Sequence, residues 1–179
     1  ISRRKFLGAS SLIAGGIFAA PQIVRSQTLG NDAKLAANSR LGMGFIGTGK
    51  ICRGHLKSFG GMKEIQPVAV CDVRTSLIEK ALGILSEKGY DDVSSTGYHE
   101  ELIENPAVDV ICIATPDHWH AAIAIEAMKA GKDIYVEKPM TLTIEEGKAV
   151  VEAEKKYGRI VQVGSQQRSS AHFRIAVNL

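Results

Sequence analysis

From Leu41 onward, apolar runs of about five residues alternate with helical stretches of about 12–15 residues. The runs predict strands at Gly42–Ile46, Pro67–Cys71, Val108–Ala114, Ile134–Glu137 and Ile160–Val163, with a short one at Val93–Thr96. Helices are predicted between them over 50–60, 75–88, 99–104, 119–130 and 143–157. Gly89, Gly131 and Gly158 stand where three of these helices stop. The strands read as apolar throughout, so both faces of the sheet must be covered. Parallel strands joined by helical crossovers and covered on both faces make a doubly wound α/β sheet.

The first strand runs straight into Gly47-Thr48-Gly49-Lys50-Ile51-Cys52. A dinucleotide site needs a tight turn, a backbone bare enough to approach a pyrophosphate, and a helix N-terminus aimed at it. Gly47 and Gly49 supply the turn and the bare backbone; Thr48, Lys50 and Ile51 complete the loop and the helix start. Cys52 replaces the third glycine of the G-x-G-x-x-G pattern, and Gly54 comes two positions late. Asp72 ends the second strand, where a carboxylate can accept ribose hydroxyls, and this favours NAD. Arg74 could stack on adenine or pair with a 2′-phosphate, which admits NADP.

The formal charge of +3 divides unevenly along the 179 residues. Residues 1–40 carry Arg3, Arg4, Lys5, Arg25, Lys34 and Arg40 against Asp32, or +5, and the remainder has 16 basic and 18 acidic side chains, or −2. No basic stripe is left for nucleic acid, and one Trp among few aromatics makes no stacking platform. Arg3-Arg4-Lys5-Phe6-Leu7 precedes an apolar stretch to Ala20 rich in Gly, Ala and Ser, which reads as a signal peptide of twin-arginine type. Export to the periplasm is therefore expected, with residues 21–40 as linker and no stable membrane span after cleavage. No apolar run approaches the ~18 residues of a spanning helix. Three cysteines, Cys52, Cys71 and Cys112, form no disulfide framework, and nothing clusters as a metal site. Cys71 and Cys112 read as buried small apolar residues.

Polar clusters end three of the later strands: Thr115-Pro116-Asp117-His118-Trp119-His120, Glu137-Lys138-Pro139, and Gly164-Ser165-Gln166-Gln167-Arg168. Ligands in an open parallel sheet bind beyond the carboxyl ends of its strands, so these clusters and the glycine loop converge on one crevice. Together, Gly47-Thr48-Gly49, Asp72, Thr115–His120 and Glu137-Lys138-Pro139 closely resemble the glucose–fructose oxidoreductase / inositol dehydrogenase family (Gfo/Idh/MocA), and within it the twin-arginine-exported bacterial members. The resemblance covers about residues 41–179, and Glu-Lys-Pro is its most specific element.

The resemblance implies an NAD(P)-binding Rossmann domain over 41–168 and hydride transfer between the nicotinamide and a sugar, polyol or inositol. An NAD-dependent glycosidase working by transient C3 oxidation is the alternative, and a nucleotide-binding remnant without turnover is a third reading. Lys138 resembles the lysine beside nicotinamide and substrate, orienting them or assisting proton transfer. His118 and His120 are candidates for contact with the nicotinamide ribose or substrate, His120 also as a catalytic group. Thr115, Pro116, Trp119, Glu137 and Gln166 complete the implied cofactor lining, and Arg168 resembles part of the substrate side. His55 and His99 read as surface or capping residues. Members of the family usually continue into a second α/β domain that mediates oligomerisation. Here that domain is expected to be missing beyond a start at 169–179, leaving an apolar face exposed.

Overall fold

A computed structural model describes Leu35 and residues 39–179 of the chain. The expected signal segment, including Arg3 and Arg4, and nearly all of the expected linker lie outside the described residues. The described fold lies within the unit Asn38–Leu179.

Six parallel strands form one sheet: β1 (Leu41–Ile46), β2 (Ile65–Cys71), β3 (Ser94–Thr96), β4 (Val110–Ile113), β5 (Asp133–Val136) and β6 (Val161–Val163). Their spatial order is β3-β2-β1-β4-β5-β6, so the connections reverse direction between β1 and β4. Six helices cross between or follow the strands: α1 (Lys50–Phe59), α2 (Thr75–Ser86), α3 (His99–Glu104), α4 (His120–Lys129), α5 (Ile144–Tyr157) and α6 (Ala171–Val177). This is the doubly wound Rossmann sheet that the alternation of runs predicts.

Side-chain alternation along the strands sorts the core into two layers. Met43 and Phe45 of β1, Val70 of β2 and Cys112 of β4 face Cys52 and Leu56 of α1 and Ala81 and Leu85 of α2. On the other face Ile46, Ala69, Ile111 and Ile113 meet Leu102 of α3, Ile123, Ala127 and Met128 of α4, and Val150 of α5. The strands are continuously apolar because they are sandwiched. β3 differs: its Ser94-Ser95-Thr96 is a short polar edge strand, a form that blunts pairing with other chains.

Element ends depart from the predicted ones for local reasons. β2 starts two residues early and passes through Pro67. Met43 pairs with Pro67 and Gly44 with Ala69, so the ladder skips Val68. Pro67 has no N–H to give, and a bulge absorbs the defect. β4 is shorter than predicted, since the Val108 amide turns back to the Asn105 carbonyl. A 3₁₀ turn over Asp117–Trp119 delays α4 to His120. Leu142, Ile144 and Ile160 are exposed, as are Phe173, Ile175 and Val177 on α6. Among the described residues no helix is long and apolar enough to cross a membrane.

Candidate cofactor-binding site

The site forms at the carboxyl ends of β1 and β4, where the connections reverse. β1 leaves the sheet through Gly47, at φ +83°. A Cβ there would lie 2.7 Å from the Thr115 amide nitrogen and 2.8 Å from the Ala114 carbonyl, so the turn admits only glycine. Thr48 is fully buried; its amide donates to Asp72 Oδ2 at 2.9 Å and its hydroxyl reaches the same oxygen at 3.3 Å. Gly49 then caps α1 from an extended conformation, with no side chain bonded to the helix end and no acidic residue in its first turn. The first amides of α1 thus face outward without a protein anion, the condition for binding a phosphate.

Asp72 does more than the sequence assigned to it. Oδ2 holds Thr48 and Oδ1 accepts the Arg74 amide at 2.9 Å, so the carboxylate clamps the glycine loop to the start of α2. Oδ1, with the Arg74 amide as its one donor, keeps lone-pair capacity for a ribose hydroxyl. The Arg74 side chain is exposed beside it.

A cavity of about 390 Å³ opens next to this loop, lined by Gly47, Asp72, Val73, Tyr98, His99, Thr115, Pro116 and Trp119 among others. Its mostly apolar walls suit a flat ring, with Asp72 as the charged group at one side. Two observations fit a dinucleotide here. A Cβ on Gly49 would meet no protein atom within 4 Å, so the chain's own packing does not need that glycine. Thr115 Oγ1 is buried without a hydrogen-bond partner, and Thr115 lines the cavity. An orphaned hydroxyl is costly unless something meets it.

The remaining predicted residues separate. Lys50 and Ile51 are exposed on the first turn of α1. His118 is exposed, its ring 6.1 Å from Trp119. Lys138 is exposed just beyond β5, and its amide donates to Glu137 Oε2 at 3.1 Å. Gln166 and Arg168 sit exposed on the 3₁₀ turn after β6 and do not line the cavity.

Three roles are corrected. His120 is 2% exposed, with Nδ1 2.7 Å from the Pro139 carbonyl and Nε2 2.9 Å from the Thr115 carbonyl. Each ring nitrogen lies against a backbone carbonyl, and the tautomer decides which one donates, so His120 is packed between the β4 loop and the Lys138–Pro139 turn and does not line the cavity. Glu137 is 4% exposed and turned into the protein, where Oε1 meets His55 Nε2 at 2.8 Å. It does not line the cavity. His55 and His99 are not idle surface groups: His55 holds Glu137, while His99 lines the cavity, 3.2 Å from Glu126 and with its ring 6.1 Å from Trp119. The spacing Cys52, His55, Phe59 already places His55 on the inward face of α1.

The thiols are inert structural groups. Burial, with Asp72, Glu100 and Glu101 adding to it, pushes the Cys71 thiol up to about 12. Hydrogen bonding of the Cys112 thiol with Cys52, and then burial, raise Cys112. Cys52, in place of the third glycine, is fully buried between α1 and the sheet. Among the described residues no three His, Cys, Asp or Glu side chains are placed to hold a metal.

Residues 41–165 match the family model GFO_IDH_MocA, an oxidoreductase family with an NAD-binding Rossmann fold. A glycosyl hydrolase family 109 protein from Shewanella pealeana is 28% identical over 160 residues, covering 82% of this chain and 35% of its own length. An alpha-N-acetylgalactosaminidase from Shewanella oneidensis is 29% identical over 161 residues, with the same coverage of each. The crystal structure of myo-inositol 2-dehydrogenase from Lactobacillus plantarum superposes with a TM-score of 0.69 at 25% identity, over 76% of this chain and 40% of that one. The chain spans 35% of the length of the curated relatives it matches.

Proposed function

The chain belongs to the Gfo/Idh/MocA oxidoreductase family, and from that premise we propose that it is the cofactor-holding part of an exported NAD(P)-dependent oxidoreductase acting on a sugar, polyol or inositol. The observation that carries this reading is the glycine turn into an uncapped helix, opening beside a cavity with an orphaned hydroxyl. The α1 amides would take the pyrophosphate, Asp72 the adenosine ribose, and Thr115 Oγ1 a polar group of the bound dinucleotide. NAD is preferred to NADP because Asp72 stands at the ribose position. NAD held there would supply the hydride acceptor for oxidation of a carbinol carbon. Lys138 Nζ would orient the carbinol oxygen and receive its proton. A homo-oligomer of the longer protein belongs to the same proposal.

The test is a fluorescence titration with NADH, followed by turnover of free inositols and sugars in a protein that contains this chain. Saturable NADH binding and net NADH formation support the reading; absence of NADH binding overturns it. Lys138→Ala should lower kcat by roughly 10²–10⁴ while NADH affinity changes little, as expected for loss of an acid–base group away from the pyrophosphate. The glycosidase relatives favour a second reading, in which NAD is reduced and reoxidised within one turnover at a glycoside's C3. Release of an aglycone without net NADH would select it.

A further inference from the structure

Two histidines grip the Lys138 turn, and they come from different parts of the chain. His120 reaches the Pro139 carbonyl from the start of α4. His55 reaches Glu137 across 82 positions, from the helix whose N-terminus faces the phosphate site. Both carboxylate oxygens of Glu137 are then in use: Oε1 meets His55 Nε2 at 2.8 Å and Oε2 accepts the Lys138 amide at 3.1 Å. Gly164, just after β6, packs close against the carboxylate, since a Cβ there would fall 2.8 Å from Oε1. The His55 ring is fixed as well. It stacks on Phe59 at 5.7 Å and meets the edge of Tyr135 at 5.2 Å. A buried carboxylate with a single charge-capable partner keeps its orientation only while that partner donates.

We propose that His55 is a positioning residue for Lys138. It donates to Glu137, Glu137 holds the Lys138 amide, and the phosphate-binding helix and the lysine turn therefore move as one body. Dinucleotide bound at the start of α1 then fixes where the lysine head stands. This inference rests on the cofactor reading above. It adds a residue that the glycine loop, Asp72 and Glu-Lys-Pro do not themselves indicate.

The test uses Lys138 itself as the reporter. Acylation of lysine amines by an N-hydroxysuccinimide ester is followed at Lys138 by peptide mass spectrometry, with and without saturating NADH. In the wild-type chain, NADH should slow labelling of Lys138 by about tenfold, within the usual range for coupled sites. His55→Gln retains an N–H donor for Glu137 and should keep most of that protection. His55→Phe retains the ring packing on Phe59 and Tyr135 without a donor; it should still bind NADH, yet lose most of the protection. Equal protection in His55→Phe and wild type overturns the inference and leaves the cofactor reading intact. Loss of protection in His55→Gln, with NADH still bound, overturns it as well, because a donor alone would then not suffice. NADH binding to the wild-type chain without any protection of Lys138 overturns the inference alone, whereas failure of the wild-type chain to bind NADH overturns the cofactor reading and the inference together.

Discussion

Two alanine substitutions, at Gly47 and Gly49, separate what the loop does for the fold from what it does for a ligand. Gly47 sits at φ +83°, and an added Cβ would press on the Ala114–Thr115 backbone at 2.7–2.8 Å. The left-handed backbone costs about 1–2 kcal/mol for an L-residue. The overlap adds about 1–3 kcal/mol, because backbone atoms cannot rotate away. Gly47→Ala should therefore lose about 2–5 kcal/mol of stability, a fall in Tm on the order of 10 °C for a domain this size. Gly49 has φ −66° and open space where its Cβ would go. Gly49→Ala should change stability by no more than about 0.5 kcal/mol. Its methyl would nevertheless stand where a phosphate must approach the α1 amides, so NADH affinity should fall by about tenfold or more, some 1.4 kcal/mol. Differential scanning fluorimetry reads the first quantity and fluorescence titration the second. Wild-type affinity in Gly49→Ala would refute the placement of the pyrophosphate. A wild-type Tm in Gly47→Ala would refute the steric argument for the turn.

Asp72→Ala removes the clamp on Thr48 and Arg74 as well as a ribose acceptor, so it should weaken NADH binding by about 1–3 kcal/mol and lower the Tm; unchanged isothermal titration curves would count against both roles. The Cys71 thiol, held up to about 12 against 9.0 for an ordinary thiol, keeps its proton in the folded chain after the unfolded chain would release it. Stability should consequently be intact below about pH 9 and decline as pH rises toward 12, which melts across that alkaline range would register. Changing Arg3 and Arg4 to lysine should strand the precursor in the cytoplasm of a bacterial host if export follows the twin-arginine route; continued delivery to the periplasm would remove that proposal.

The strand positions and the glycine turn were legible because each has a local signature. Continuously apolar runs mark sandwiched strands, and Gly47 stands at a strand end where only a positive φ will do. The inner side of the site was not legible, because it is made by pairs distant in sequence. Nothing near Glu137 announces that its partner is His55, 82 positions away, and nothing near His120 announces that two carbonyls from two loops will occupy its ring. A histidine at a strand end reads as chemistry until its nitrogens are accounted for. Asp72 shows the opposite error: the ribose reading saw a ligand contact and missed that the same carboxylate builds the loop. The bulge at Pro67 follows from a missing N–H that the sequence does display, although its register depends on β1, 24 residues earlier.

The position of β1 in the sheet has a consequence for the order in which the molecule can be made. β1 is the earliest strand of the sheet, yet it lies between β2 and β4, and Met43 finds its second partner only at Val110. The Gly47 turn leans on Ala114 and Thr115, so a nascent chain shorter than this has a phosphate loop with no wall behind it. More than two-thirds of the segment from Leu41 to Val136 must leave the ribosome before its first strand has both neighbours. Cofactor capture would therefore wait for β4, although the residues proposed to take the phosphate are among the first of the fold to emerge.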